Sequence, residues 1–274
     1  MKRIKNIVSF IYPLMIEARD GRVTPYLEVI QTRGKYVLNS ENANYSFDGL
    51  HIIFNQLFKK IDINKFDFKN VLILGMGAGS IISLLRNKYK IECQITAIEK
   101  DEVVIEFAKK YFNIDQYKSL SIIKSDAFDY VINTENKYDL IISDLFIDNN
   151  VPKIFASRAY LKNLRRISSE RSCIMYNKMT ESAVHKKELQ EVLKDFEYIF
   201  PGTELYKFDV YHSENSVLCY NSLPVLIKDP TTFETLNSNG EFECSIKGLN
   251  KVNKTIEIDS PINFIKDKIM AISA

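Results

Sequence analysis

Asn70-Val71-Leu72-Ile73-Leu74-Gly75-Met76-Gly77-Ala78-Gly79-Ser80 is an apolar run that breaks into alternating glycines. Val71 to Leu74 read as a strand buried on both faces, the glycines as a turn tight enough for a ligand to touch backbone, and Ile81 to Leu85 as the helix leaving it. The next apolar run, Gln94-Ile95-Thr96-Ala97-Ile98-Glu99, ends on a carboxylate about 20 residues beyond the turn, where it can accept both hydroxyl protons of a ribose. The pattern predicts a nucleotide cradle for an adenosine-bearing ligand.

Glycine spacing separates two adenosine cofactors. The dinucleotide pattern G-x-G-x-x-G needs glycine at position 80, where the chain has Ser80; Gly75, Gly77 and Gly79 instead spell G-x-G-x-G. A dinucleotide brings a pyrophosphate to the helix N-terminus, whereas S-adenosylmethionine brings an amino-acid tail and a sulfonium, which need close backbone approach more than anion capture. The spacing favours S-adenosylmethionine. The bland alternative is a glycine turn that only packs a strand on a helix.

Two further strands end on acids. Leu120-Ser121-Ile122-Ile123-Lys124-Ser125-Asp126-Ala127 and Tyr138-Asp139-Leu140-Ile141-Ile142-Ser143-Asp144 are both apolar runs that close on a carboxylate. Ligands of open parallel sheets sit outside the carboxyl ends of the strands, so Glu99, Asp126 and Asp144 should converge on one crevice. Each acid singly can equally be a helix N-cap or a turn former.

These motifs resemble those of the spermidine synthase family, a branch of the class I S-adenosylmethionine-dependent methyltransferase folds. The resemblance extends upstream through Pro25-Tyr26-Leu27-Glu28-Val29-Ile30, Gly34-Lys35-Tyr36-Val37-Leu38-Asn39-Ser40 and Asn44-Tyr45-Ser46-Phe47-Asp48-Gly49-Leu50-His51, covering roughly residues 20 to 220. It implies an α/β fold: a doubly wound, mostly parallel seven-stranded Rossmann-like sheet, preceded by a small N-terminal antiparallel β unit. By the resemblance, Gly75, Gly77 and Gly79 line the methionine-derived tail, Glu99 and the adjoining Lys100 belong to the ribose side, and Asp126 with Ala127 faces the adenine. Asp144 stands where the family places the carboxylate that takes a proton from the attacking amine, and borders the cofactor. Tyr45, His51 and Asp148 are the acceptor-side candidates, each with a bland alternative: strand aromatic, helix-start residue, loop cap.

The chain also departs from that family. Ala78 stands where the glycine loop usually carries an acid; Leu145-Phe146-Ile147-Asp148-Asn149-Asn150-Val151-Pro152 lacks the Asp-Pro after the catalytic Asp; and Leu50-His51-Ile52 keeps only the histidine of a Tyr-His-Glu. A diamine needs an anion at each end of its pocket, because a buried unpaired ammonium is costly, and this argues against putrescine.

Composition fits a soluble protein with a full core. The 274 residues are 46% hydrophobic and 26% charged, and a net charge of +2 gives no electrostatic footprint for nucleic acid. Lys59-Lys60, Lys109-Lys110 and Lys186-Lys187 read as solvated helix faces. Cys93, Cys173, Cys219 and Cys244 have neither zinc-ligand nor disulfide spacing, and no metal site is expected among them or the dispersed His51, His185 and His212. Lys2-Arg3-Ile4-Lys5 with Ile7 to Tyr12 imitates a signal peptide, but Pro13, Glu17, Arg19 and Asp20 interrupt it, so it reads as a first strand and the protein as cytoplasmic. No apolar run reaches the roughly 18 residues of a membrane span.

Three parts are expected: an N-terminal β-hairpin unit over 1–48, punctuated at Asp20-Gly21, Arg33-Gly34 and Asn39-Ser40; the cofactor-binding domain over 49–222; and an extension over 223–274 with short strands at Phe242–Ile246 and Thr255–Ile258. In the middle part Leu50, Ile53, Phe54, Leu57, Phe58 and Ile61 recur at helical spacing; Val103–Phe112, Arg158–Arg166 and Glu181–Asp195 read as helices, and Tyr206–Val210 with Asn215–Tyr220 as an antiparallel pair. Three functions stay open. They are S-adenosylmethionine-dependent methyl transfer to a small-molecule acceptor, aminopropyl transfer from decarboxylated S-adenosylmethionine, and a non-catalytic adenosine-binding protein. Expected partners are the acceptor and, as an open alternative, a second copy of the chain, with no nucleic acid and no membrane.

Overall fold

The computed structural model describes residues 7–41, 44–46, 49–146, 151–210, 213–223, 232–236 and 242–246. Internal contacts divide the chain into two units, Met1–Asn64 with Phe68–Leu223, and Lys65–Asp67 with Pro224–Ala274.

The first unit opens with an antiparallel sheet in the order β1 (Leu14–Arg19), β2 (Leu27–Thr32), β3 (Lys35–Ser40), β4 (Asn44–Ser46). Thr32 pairs with Lys35, so Arg33-Gly34 is a two-residue hairpin turn, and its positive φ values of 48° and 75° match the twist of the flanking strands. Asn39-Ser40 is not a turn. It ends β3, where the register with β4 shifts between Leu38 and Asn39.

The expected first strand over Ile7–Tyr12 is also corrected. These residues form a helical turn in which the Ile11 and Tyr12 N–H groups both donate to the Val8 carbonyl at 2.9 Å. Pro13 ends it, because its ring disfavours helical backbone in the residue before it, and β1 begins at Leu14. A ladder is denied to this stretch for a second reason: the Ser9 carbonyl and hydroxyl accept the Arg33 and Gly34 N–H groups at 2.8 and 2.9 Å, holding the hairpin turn.

Helix α1 (Gly49–Lys60) buries Ile53, Phe54, Leu57 and Phe58, as its apolar spacing requires. Seven strands follow: β5 (Asn70–Leu74), β6 (Gln94–Glu99), β7 (Leu120–Lys124), β8 (Tyr138–Ser143), β9 (Ser168–Met179), β10 (Glu204–Val210) and β11 (Ser213–Asn221). Their order is β10-β11-β9-β8-β5-β6-β7; β5 to β9 pair in parallel, and β11 runs antiparallel to both β9 and β10. Every side chain from Val71 to Leu74 is fully buried, which is why β5 reads as a continuous apolar run. The chain order reverses between β5 and β8. That reversal is the switch point at which such sheets open a crevice.

The connecting helices are α2 (Ser80–Ser83), α3 (Glu102–Phe112), α4 (Ala127–Asn133), α5 (Arg158–Ile167) and α6 (Ala183–Ile199). α2 is shorter than the Ile81–Leu85 reading suggests, because the chain widens into a π turn over Leu84–Lys88, where the Tyr89 N–H reaches the Leu84 carbonyl at 3.0 Å. The Arg86 guanidinium donates to the carbonyls of Ile91 and Cys93 and so fastens this turn to the start of β6. In α5, Tyr160, Leu161, Leu164 and Ile167 form the buried face, and Ser157 Oγ caps the helix by accepting the Tyr160 N–H at 3.2 Å.

The small sheet and the main sheet share core. Leu27, Val29 and Leu38 pack with Ala78, Val103, Val104 and Phe107, and burial of Phe107 alone contributes about 1.5–3 kcal/mol. Asp101, 2% exposed, joins the same parts: Oδ1 accepts the Val103 N–H at 2.9 Å as the α3 cap, and Oδ2 accepts the Val23 and Thr24 N–H groups at 2.8 and 3.3 Å. Gly21 lies so close to this carboxylate that a Cβ there would stand 2.5 Å from Oδ2.

Lys110 and Lys186 are paired rather than only solvated, to Glu17 at 2.6 Å and Glu214 at 3.1 Å, while Lys60 lies over the rings of Tyr206 and Phe208. Among the described residues no helix is long and apolar enough to cross a membrane. The second unit contains an antiparallel pair, β12 (Thr232–Leu236) and β13 (Phe242–Ile246); the second expected strand, Thr255–Ile258, lies outside the described residues.

Candidate active site

Strand register brings the candidate residues to one edge. Leu74 pairs with Ile98 and Ser143, Glu99 with Lys124, and Ser143 with Tyr176, so the carboxyl ends of β5 to β9 stand side by side. The glycine turn rises from the middle of this edge. Gly75, Gly77 and Gly79 have φ of 86°, 54° and 92°, a left-handed conformation that residues with a Cβ adopt at a cost. The turn is held to β6 by the Gly75 and Met76 N–H groups, which both donate to the Ile98 carbonyl at 3.0 Å. At Gly75 a Cβ would also meet the Asp144 carbonyl oxygen at 2.1 Å, and at Gly79 the Ile114 Cδ1 at 2.3 Å.

Glu99 is fastened to the turn. Its Oε2 accepts the Gly77 N–H at 3.0 Å, and its Oε1 accepts the Lys100 and Asp101 N–H groups at 2.8 and 3.0 Å. Burial raises its pKa, while the Asp101, Gly77 and Lys100 N–H groups oppose the rise. Three of the roughly four acceptor positions of a carboxylate are thus taken by backbone. The remaining one, on Oε2, is left beside the Gly77 N–H.

Asp126 caps a helix and pairs with a lysine. Its Oδ1 caps α4 by accepting the Phe128 N–H at 2.8 Å, and its Oδ2 pairs with Lys100 Nζ at 3.0 Å. Burial works to raise its pKa, but Lys100 and the Phe128 N–H outweigh it and hold the carboxyl below the usual range. Lys100 therefore projects to Asp126, and Ala127 is the first, buried residue of α4.

Asp144 is 6% exposed and follows β8, with its N–H donating to the Leu74 carbonyl at 2.9 Å. Asn177 Nδ2 donates to its Oδ1 at 2.9 Å. Burial pushes the carboxyl up to about 7 against the lowering effect of that bond. A group poised there exchanges a proton readily near neutral pH.

On the acceptor side, His51 is half-buried on α1, where burial, then Lys88 and Lys35, lower its pKa and favour the neutral ring. Tyr45 is the middle residue of β4, and its side chain lies outside the described residues, as does Asp148 altogether. Sequence reading missed Asn177 and Asp101. Asn177 had a usable signal, a polar residue just after Ile174-Met175-Tyr176, the same strand-end rule that selects Glu99. Ala78 is fully buried in the apolar cluster against the small sheet, so the turn carries no acidic side chain. Among the described residues no group of three or more His, Cys, Asp or Glu could hold a metal, and Cys93, Cys173 and Cys219 are buried free thiols.

Comparison with known proteins places this edge in context. The chain is similar to the polyamine aminopropyltransferase of Saccharolobus solfataricus, 34% identical over 114 residues, covering 39% of this chain and 38% of that protein. It is also similar to the eEF1A lysine and N-terminal methyltransferase homolog of Drosophila melanogaster, 25% identical over 150 residues, covering 52% of this chain and 22% of that protein. The matches thus span about two-fifths and about a fifth of those relatives. The fold matches spermidine synthase from Thermotoga maritima with a TM-score of 0.60 at 15% identity, covering 79% of this chain and 76% of that one. The profile of the spermine/spermidine synthase domain matches residues 59–222, more than half of the sequence and all of the strand edge just described. The chain belongs to the spermine/spermidine synthase domain family.

Proposed function

We propose that this protein is an S-adenosylmethionine-dependent transferase that methylates an amine nitrogen of a small-molecule acceptor. The observation that carries the reading is the fastening of Glu99 to the glycine turn beside Asp144: one carboxylate with a free acceptor position at the ribose side, and one poised to take a proton. S-adenosylmethionine, when bound, supplies a sulfonium carbon that needs only an aligned nucleophile. Gly75, Gly77 and Gly79 give close backbone approach for its tail, Glu99 Oε2 orients the ribose, and Asp144 receives the proton an ammonium must lose before it attacks.

Ala78 favours the intact cofactor over its decarboxylated form. With an alanine buried in apolar surroundings, the turn offers no counter-ion to a tail that is only an ammonium, whereas an intact tail carries its own carboxylate. Aminopropyl transfer is the second reading, favoured by the 34% identity to a protein named for that activity. Calorimetry separates them: tighter binding of S-adenosylmethionine than of its decarboxylated form supports methyl transfer, and the reverse order supports aminopropyl transfer. Stabilisation by NAD, with none by S-adenosylhomocysteine, overturns both.

A further inference from the structure

Asn177 lies in β9 two residues before its last, is 1% exposed, and its amide is bonded at one end only. Nδ2 donates to Asp144 Oδ1 at 2.9 Å, while its own Oδ1 is buried and has no hydrogen-bond partner among the described residues. With Asp144 ionised, its carboxylate accepts and cannot donate, so the amide nitrogen faces Asp144 and the oxygen faces away. In a planar amide that oxygen still lies beside its nitrogen. A buried acceptor without a donor is costly, and here it borders Asp144, the carboxyl that burial pushes up to about 7.

Building on the transferase reading above, we infer that Asn177 reads the acceptor nitrogen: a protonated amine gives one hydrogen to Asp144 and a second to Asn177 Oδ1, so the acceptor is a primary or secondary amine. On transfer the ammonium proton moves to the Asp144 carboxylate, the nitrogen lone pair forms the new N–C bond, and the S–C bond breaks with its electron pair left on sulfur. The hydrogen bond to Asn177 persists and turns the lone pair toward the incoming carbon. A carboxylate acceptor would face two oxygens and be repelled; a protonated tertiary amine brings one hydrogen and satisfies one of them. Asn177 is also a positioning residue, because its Nδ2–H holds Asp144 in place and favours its ionised form.

The test uses the full chain saturated with S-adenosylhomocysteine and three probes, n-butylamine, N,N-dimethylbutylamine and butyrate, followed by NMR titration. The expected result is that n-butylamine binds about tenfold or more tighter than the tertiary amine, and butyrate does not bind. Asn177→Leu should bring the two amines within about twofold, leave S-adenosylhomocysteine binding unchanged and raise the Asp144 titration midpoint, since its charged form loses a donor. Equal binding of the two amines by the parent, or no saturable binding of n-butylamine, overturns the assignment without any variant. So does a ranking that survives Asn177→Leu. Failure of the parent to bind S-adenosylhomocysteine removes the transferase reading and this assignment with it, whereas intact cofactor binding with a wrong amine ranking removes this assignment alone.

Discussion

Gly75 and Asp144 touch backbone to backbone: a Cβ on Gly75 would stand 2.1 Å from the Asp144 carbonyl oxygen. The turn proposed to receive the cofactor and the residue proposed to take the proton therefore share one contact. It exists because β5 and β8 are neighbours and their ends are in register, Leu74 against Ser143. The two are remote in sequence, and the pairing of their strands is what brings them together.

Gly75→Ala should accordingly be costly twice over, through positive φ and through collision with main chain that has no rotamer to escape into. Gly202 provides the control, with φ of 85° and nothing within 4 Å of the place a Cβ would occupy. Gly202→Ala should cost about 1–2 kcal/mol of backbone strain alone, and Gly75→Ala several kcal/mol, measured by urea denaturation. Equal losses at the two sites would show that the Asp144 contact is relaxed easily.

Glu99→Ala tests the carboxylate. From sequence alone its removal should weaken adenosyl-ligand binding by about 1.5–3 kcal/mol and leave stability untouched. The structure changes the second half, because Gly77, Lys100 and Asp101 all donate N–H groups to this side chain. Stability should fall by about 1–3 kcal/mol as well, read by denaturation beside S-adenosylhomocysteine calorimetry. A loss of affinity larger than the loss of stability explains would keep the ribose assignment.

The central strands were legible because burial on both faces writes an unbroken apolar run, and the Arg33-Gly34 turn because Gly34 takes the positive φ of its second position without a Cβ penalty. What stayed hidden depends on partners remote in sequence. Asp101 looks like an ordinary helix cap until Val23 and Thr24 are found on its other oxygen, and the Lys100 that pairs with Asp126 lies on a different strand end. Ser9 likewise holds the Arg33-Gly34 turn across the small sheet, which pulls Ile7–Tyr12 out of the strand their composition suggests. Local pattern carries strands and turns; it does not carry who satisfies a buried donor.

The Asp144 carboxyl predicts a pH dependence of stability. Its folded pKa of about 7 lies above its ordinary value of 3.8, so the folded chain binds this proton more tightly than the unfolded one. Stability then falls as pH rises from about 4 to about 7 and levels off above, where both states are ionised. Asp144→Asn, neutral at every pH, should abolish that slope. The variant should match the parent near pH 4 and exceed it by roughly 1 kcal/mol or more at pH 8, with urea denaturation at both pH values as the measurement. A parallel pH profile for the two proteins would mean that Asp144 is ionised throughout.

The same substitution separates proton acceptance from architecture. Asparagine keeps the size of Asp144, its N–H still reaches the Leu74 carbonyl, and its amide oxygen can still accept from Asn177. Affinity for S-adenosylhomocysteine should therefore stay within about twofold of the parent. What asparagine lacks is basicity. If Asp144 takes the proton of an amine acceptor, turnover should fall about 100- to 10,000-fold, and the residual rate should rise with pH toward the acceptor's own pKa, because the amine must then lose its proton to solvent. A purely structural Asp144 makes the opposite prediction, with turnover unchanged and no new pH dependence. Turnover of the parent and Asp144→Asn with a primary amine acceptor across pH 6 to 10, set beside their cofactor affinities, decides between the two: an unaltered rate with intact binding removes Asp144 from the chemistry.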